Sequence, residues 1–204
     1  VNEGGSNTFS VVLEAEPASD VTISLTSSNT LAATVDLSSV VFDNTDWNVA
    51  QTVTISGEED ANVISETLTI TASVVDASSD DAFDTLANQV VNVTLVDNDL
   101  AGYTVTPLSV SVNEGGSNTF SVVLDAEPAS DVTISLTSSN TSAATVDLSS
   151  VVFDNTDWNV AQTVTISGEE DANVISETPT STASVVDASS DDAFDTLSNQ
   201  VVNV

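Results

Sequence analysis

From Asn7 to Leu13 the chain reads NTFSVVL, and polar and apolar positions largely alternate. A similar period returns in Val21–Thr26, Ser38–Phe42, Gln51–Ser56, Glu66–Val75 and Gln89–Leu95. A period of two marks strands with one buried face. Gly, Pro, Asn, Asp and Ser fill the gaps between these runs, as turns require. No segment carries a convincing helical period.

The pattern then repeats. Residues 1–93 recur as 112–204 at a spacing of 111, with differences only at Glu14/Asp125, Leu31/Ser142, Leu68/Pro179, Ile70/Ser181 and Ala87/Ser198. The segment between, TLVDNDLAGYTVTPLSVS, closes one unit and opens the next, and it adds a strand over Tyr103–Val112. One period is the size of a small domain. The expectation is an all-β chain of tandem seven-stranded, immunoglobulin-like antiparallel β-sandwiches, here lettered A to G in each unit. Their bounds are 1–99 and 100–204. The first unit reads as lacking the start of strand A and the second as lacking the end of strand G. Near-identical neighbours suit arrays that supply length or multivalency.

Phe42 and Trp47 are candidate core plugs, and Tyr103 is expected to pack at the junction between units. Leu68, Ile70, Ala72 and Val74 alternate on strand F and should face inward. Pro179 and Ser181 replace the first two in the second unit, and each lost side chain should cost about 2 kcal/mol or more. The second unit is therefore expected to be the less stable.

Charge changes the picture. The chain has 32 acidic residues, no Lys, no Arg and no His, for a net charge of −32. Its hydrophobic content of 40% argues against the disorder that such a charge would otherwise suggest. The surface must be almost wholly anionic, and it repels itself unless cations screen or bind it. Nucleic acid is not an expected partner, because nothing can neutralise a phosphate. Cys is absent, so no disulfide reinforces the fold. No apolar run is long enough to span a bilayer, so no membrane insertion is expected.

The motif GEEDANVISE occurs at Gly57–Glu66 and again at Gly168–Glu177. In a sandwich of alternating strands, the A–B, C–D and E–F loops and the end of strand G share one end. That end of the first unit gathers Glu3, Asp36, Glu58, Glu59, Asp60, Glu66, Asp97, Asn98 and Asp99. The repeat brings Glu114, Asp147, Glu169, Glu170, Asp171 and Glu177 to the same end of the second unit. Carboxylates this close need a counter-charge. A hard divalent cation with oxygen ligands supplies it, and Ca²⁺ fits best because it accepts six to eight oxygens. Zinc is poorly supported without His or Cys. The alternative is a set of solvated acidic loops. The opposite end carries Asp43, Asp46, Asp76, Asp80, Asp81 and Asp84, for which solvation is the favoured reading.

VNEGGSNTFSVVL, ISGEEDANVISET and VNVTLVDND together resemble the Calx-beta pattern. VVFDNTDWNVAQTVTISGEEDANV also resembles the tandem Calx-beta-like or cadherin-like units of large secreted bacterial adhesins. The resemblance implies calcium ligands at Glu3, Asp36, Glu59, Asp60, Glu66, Asp97 and Asp99. In the second unit it implies Glu114, Asp147, Glu170, Asp171 and Glu177. Asn98 stands where the family often has a third Asp, which implies fewer or weaker sites.

The favoured function is structural: extender repeats of a long extracellular adhesin or surface fibre, rigidified by Ca²⁺ at domain ends and junctions. The expected partners are neighbouring repeats of the same chain, with lateral self-association or a cell-surface ligand reached through other domains as further options. The competing readings are an adhesive module, cadherin-like or carbohydrate-binding, and a self-assembling fibre or surface-layer subunit. Aromatic residues are only 4%, which leaves few platforms for sugars. Paired carboxylates could serve a glycosidase. With no His, Lys, Cys or Arg to orient groups or stabilise charge, catalysis is not expected.

Overall fold

The computed structural model describes residues 1–172 and 175–204; Asn173 and Val174, within the second GEEDANVISE, lie outside the described residues. The chain divides into two compact units, Val1–Asp60 with Ile64–Asn98, and Ala61–Val63 with Asp99–Val204. Each is an immunoglobulin-like β-sandwich, as the alternation predicts.

In the first unit β1 (Ser6–Val11), β5 (Gln51–Gly57) and β3 (Ala33–Val35) form one sheet in the order β1-β5-β3. The other sheet joins β4 (Ser39–Phe42), β2 (Val21–Ser27), β6 (Glu66–Val74) and β7 (Gln89–Leu95) in that order. All pairings within the sheets are antiparallel. Inward positions bury their apolar side chains: Phe42 and Val53 lie in one cluster, Leu68, Ile70 and Leu95 in another. Phe42 is fully buried, whereas Trp47 packs half-buried against that first cluster.

The strand β3 does not figure among the seven alternating runs. It has three residues, too few to display a period. Ala33–Val35 pairs with β5, while β4 pairs with β2, so the chain changes sheets between Val35 and Ser39. Asp36 fastens this crossing: its Oδ1 accepts the Thr54 amide at 2.8 Å, and its own amide donates to the Thr54 carbonyl at 3.0 Å.

The second unit holds β8 (Tyr103–Thr106), β9 (Ser117–Leu124), β13 (Gln162–Gly168) and β11 (Ala144–Val146) in the order β11-β13-β9-β8. Facing it is a sheet of β12 (Ser150–Phe153), β10 (Val132–Ser138), β14 (Thr180–Val185) and β15 (Gln200–Asn203). The strand anticipated over Tyr103–Val112 is split. Tyr103–Thr106 pairs with β9, whereas Ser109 makes a parallel bridge to Asn203. Tyr103 is not a junction residue. It lies buried in the core of the second unit, where its hydroxyl donates to the Ala183 carbonyl at 2.9 Å. A buried phenol needs such a partner, and β14 of the facing sheet supplies it.

The effect of Pro179 and Ser181 is visible. Strand β6 begins at Glu66, but β14 begins only at Thr180, beyond the position corresponding to Leu68. Ser181 is 2% exposed and its hydroxyl has no hydrogen-bond partner, where Ile70 packs in the first unit. An open cavity of about 550 Å³ borders Gly168, Pro179 and Val204. No helix among the described residues is long and apolar enough to cross a membrane.

Candidate metal centre

In the first unit, the turn before β1, the β5–β6 loop and the tail of β7 come together. The Glu3 amide donates to the Val96 carbonyl at 3.1 Å, and the Gly57 amide to the Gly5 carbonyl at 3.0 Å. These bonds hold the VNEGG turn against both neighbours. Glu3 is only 4% exposed, and neither carboxylate oxygen completes a hydrogen bond. Burial pushes its pKa up, and the charges of Asp60, Asp97 and Glu66 push it further; the nearby Asn98 backbone amide only partly offsets this. A shielded carboxylate facing three others, in a chain without a basic side chain, is costly unless a cation joins it.

Glu66 opens β6 opposite Leu95, and the Asp97 amide donates to Ser65 Oγ at 3.1 Å. Glu59 folds over Gly4 and accepts from Asn98 Nδ2 at 3.3 Å. Gly4 has φ +59°, a left-handed conformation that favours glycine.

Two candidates are bonded elsewhere. Glu58 accepts from Thr34 Oγ1 at 3.0 Å, which turns it toward β3. Asp36 serves the sheet crossing, and the Thr54 amide holds its pKa down.

The second unit repeats the arrangement in a more open form. Glu114, Asp171 and Glu177 place oxygens within 4.8 Å of one another, and all three are exposed. The Asp171 charge pushes up the Glu114 pKa, followed by burial and by Glu170 and Glu177. Glu170 folds over Gly115, which has φ +65°. Glu169 accepts from Thr145 Oγ1 at 2.9 Å, and Asp147 Oδ1 accepts the Thr165 amide at 2.8 Å. The two glycines that let Glu59 and Glu170 lie over the turn, Gly4 and Gly115, are not among the residues that the sequence alone singles out. Their signal was the GG of VNEGGSN, which carries no ligand atom in its side chains.

The donor set is oxygen throughout, with several carboxylates around one point. That chemistry suits a hard cation of flexible coordination, such as Ca²⁺, better than a metal seeking nitrogen or sulfur.

At the opposite end the acids satisfy the chain itself. Asp80 Oδ2 accepts the amides of Ala18 and Ser19 at 2.6 and 3.1 Å, and Asp191 repeats this with Ala129 and Ser130 at 2.7 and 3.0 Å. Asp43 Oδ1 accepts the Thr45 amide at 2.6 Å and Asp46 Oδ1 accepts the Asp43 amide at 2.8 Å. Asp84 differs: its Oδ1 is shielded without a hydrogen bond, and its pKa is pushed up by burial and then by Asp76 and Asp81.

Residues 99–169 match the family described as the bacterial Ig-like domain (group 2). No curated protein matches the chain. Among solved structures, domains 4 and 5 of the S-layer protein SbsC are similar at 16% identity and a TM-score of 0.41, over 89% of this chain and 74% of that one. CBD12 from CALX1.2 is similar at 14% identity and a TM-score of 0.39, over 90% of this chain and 75% of that one. The calcium binding domain CBD12 of CALX1.1 gives 13% identity and a TM-score of 0.37, over 89% and 74% of the two chains.

Proposed function

We propose that these units are extender modules of a long extracellular adhesin or surface fibre, folded and stiffened by Ca²⁺ held among the carboxylates at their ends. One observation carries the reading. Glu3 is buried, lacks a hydrogen bond at either oxygen, and faces Asp60, Asp97 and Glu66 in a chain with no Lys, Arg or His. Glu3, Asp60, Asp97 and Glu66 with Glu59 would hold the ion in the first unit, and Glu114, Asp171 and Glu177 with Glu170 in the second. A cation there replaces repulsion by coordination. Because it binds the folded state alone, it stabilises that state by mass action. The near-identity of neighbouring units supports a role in length rather than in one specific contact.

The test has two arms. Calorimetric titration of metal-free protein with Ca²⁺ should show saturable binding, and excess chelator should lower the melting temperature sharply. Small-angle scattering should show a longer, narrower particle with Ca²⁺ than with chelator. Melting that chelator leaves unchanged would exclude the calcium role; Ca²⁺ binding without a change in dimensions would exclude the stiffening role.

A further inference from the structure

Asn98 meets the metal centre without bringing a charge to it. Its Nδ2 lies 3.3 Å from each carboxylate oxygen of Glu59. Its backbone amide lies near the Glu3 carboxylate and offsets part of the rise in that pKa. An ionised carboxylate only accepts, and in the Asn side chain only the NH₂ group donates, so the amide can face Glu59 in one orientation alone. The chain holds no Lys, Arg or His to do this instead. An Asp in the same place would set one more negative charge against Glu59 and would have no hydrogen to give.

The order of dependence is visible in the second unit. Glu170 lies over Gly115 as Glu59 lies over Gly4. The glycine turn therefore fixes the pose of Glu59, and Asn98 comes to a carboxylate already in place. Its neighbour Asp97 is tied as well, through the backbone amide that donates to Ser65 Oγ at 3.1 Å. The tail of β7 is thus fastened to both ends of the β5–β6 loop, at Ser65 just before β6 and at Glu59 just after β5. The Asp97 carboxylate leaves the chain between these two ties, and its charge acts on Glu3.

We propose that Asn98 is a positioning residue of the calcium site. It latches the β7 tail to Glu59 and so sets the Asp97 carboxylate beside Glu3. This rests on the calcium reading given above. By resemblance Asn98 counts as a ligand lost; in the folded unit it strengthens the ligands that remain. Groups that hold a ligand without touching the metal typically change affinity by roughly 10–100-fold when they are removed.

Every chain in the experiment carries Glu114→Gln and Asp171→Asn, which takes two carboxylates from the second unit so that the first is read alone. Calorimetric titration with Ca²⁺ measures affinity. The luminescence lifetime of bound Eu³⁺ in light and heavy water measures how much water remains on the ion. Asn98→Ala should bind Ca²⁺ about tenfold more weakly and leave more water on Eu³⁺, because Asp97 no longer reaches it. Glu59→Ala should also weaken binding, and adding Asn98→Ala to it should change nothing further, since the latch is then already broken. The proposal is overturned if Asn98→Ala leaves affinity unchanged, if affinity falls while the lifetime stays constant, or if the two substitutions add. Absence of Ca²⁺ binding with Asn98 intact would instead overturn the calcium reading, and the latch with it.

Discussion

The Glu59 carboxylate lies over the α-carbon of Gly4, on the side where any other residue would carry its Cβ. The backbone of Gly4 is left-handed there, so two independent features of one turn require glycine. Glu170 and Gly115 repeat the relationship. Gly4 thus controls where an acidic side chain of the β5–β6 loop can sit, although it has no side chain to offer a ligand atom of its own.

Gly4→Ala should therefore act twice. The left-handed backbone should cost about 1–2 kcal/mol, and the displaced Glu59 should weaken calcium binding. Chemical denaturation in chelator reads the first effect; calorimetric titration reads the second. Loss of stability with unchanged affinity would dissociate the turn from the metal centre.

Glu3→Gln should reverse its effect with calcium. In chelator the substitution removes a shielded negative charge that Asp60 and Asp97 oppose, so the melting temperature should rise. In saturating Ca²⁺ it removes a ligand, and the melting temperature should fall below that of the unaltered chain. Scanning calorimetry under both conditions measures this, and a change of the same sign in both would refute Glu3 as a ligand.

Asp36→Ala should separate structure from coordination. Asp36 holds the Thr54 amide at the crossing between sheets. Its loss should lower the melting temperature while leaving the number of bound Ca²⁺ ions unaltered, as native mass spectrometry would count them.

Ser181→Ile should stabilise the second unit. Ser181 is buried with an unpartnered hydroxyl, and Ile70 fills the corresponding place in the first unit. Restoring the side chain should gain about 2 kcal/mol, seen as a higher urea midpoint for the less stable transition. No gain would mean that Pro179 alone limits β14.

Asp84→Asn tests the opposite end. Burial pushes the Asp84 pKa up, and Asp76 and Asp81 push it further. The folded state thus holds the proton more tightly than the unfolded state does. Stability is lost as pH rises from the ordinary aspartate range through the raised value. Asparagine does not ionise, so the difference in melting temperature between variant and unaltered chain should grow across that window in the variant's favour. A constant difference over pH would contradict the assignment. Asp195→Asn should behave alike in the second unit, where burial and Asp187 act on Asp195.

Much of the fold was legible because its signals are local. Val21–Ser27 and Gln51–Gly57 alternate over a length that a strand requires, and the repeat doubles each observation. Three residues of β3 carry no period, so the sheet crossing at Asp36 had no signature, and Asp36 read as one more acid in an acidic loop. Tyr103 was misplaced for a related reason. Its position after DNDLAG describes where it falls along the chain, whereas the Ala183 carbonyl that receives its hydroxyl lies 80 residues away.

The chain by itself determined the alternating strands, the repeat of 111 and a surface without one basic group. Each of these is a property of neighbours in sequence or of composition. Only the tertiary structure decided which acids meet. Glu58 and Glu59 are adjacent in the chain, yet one bonds to Thr34 and the other lies over Gly4. Glu3 became the shielded centre because the VNEGG turn is closed by hydrogen bonds from distant segments. The direction of a carboxylate depends on such packing, and no spacing along the chain encodes it.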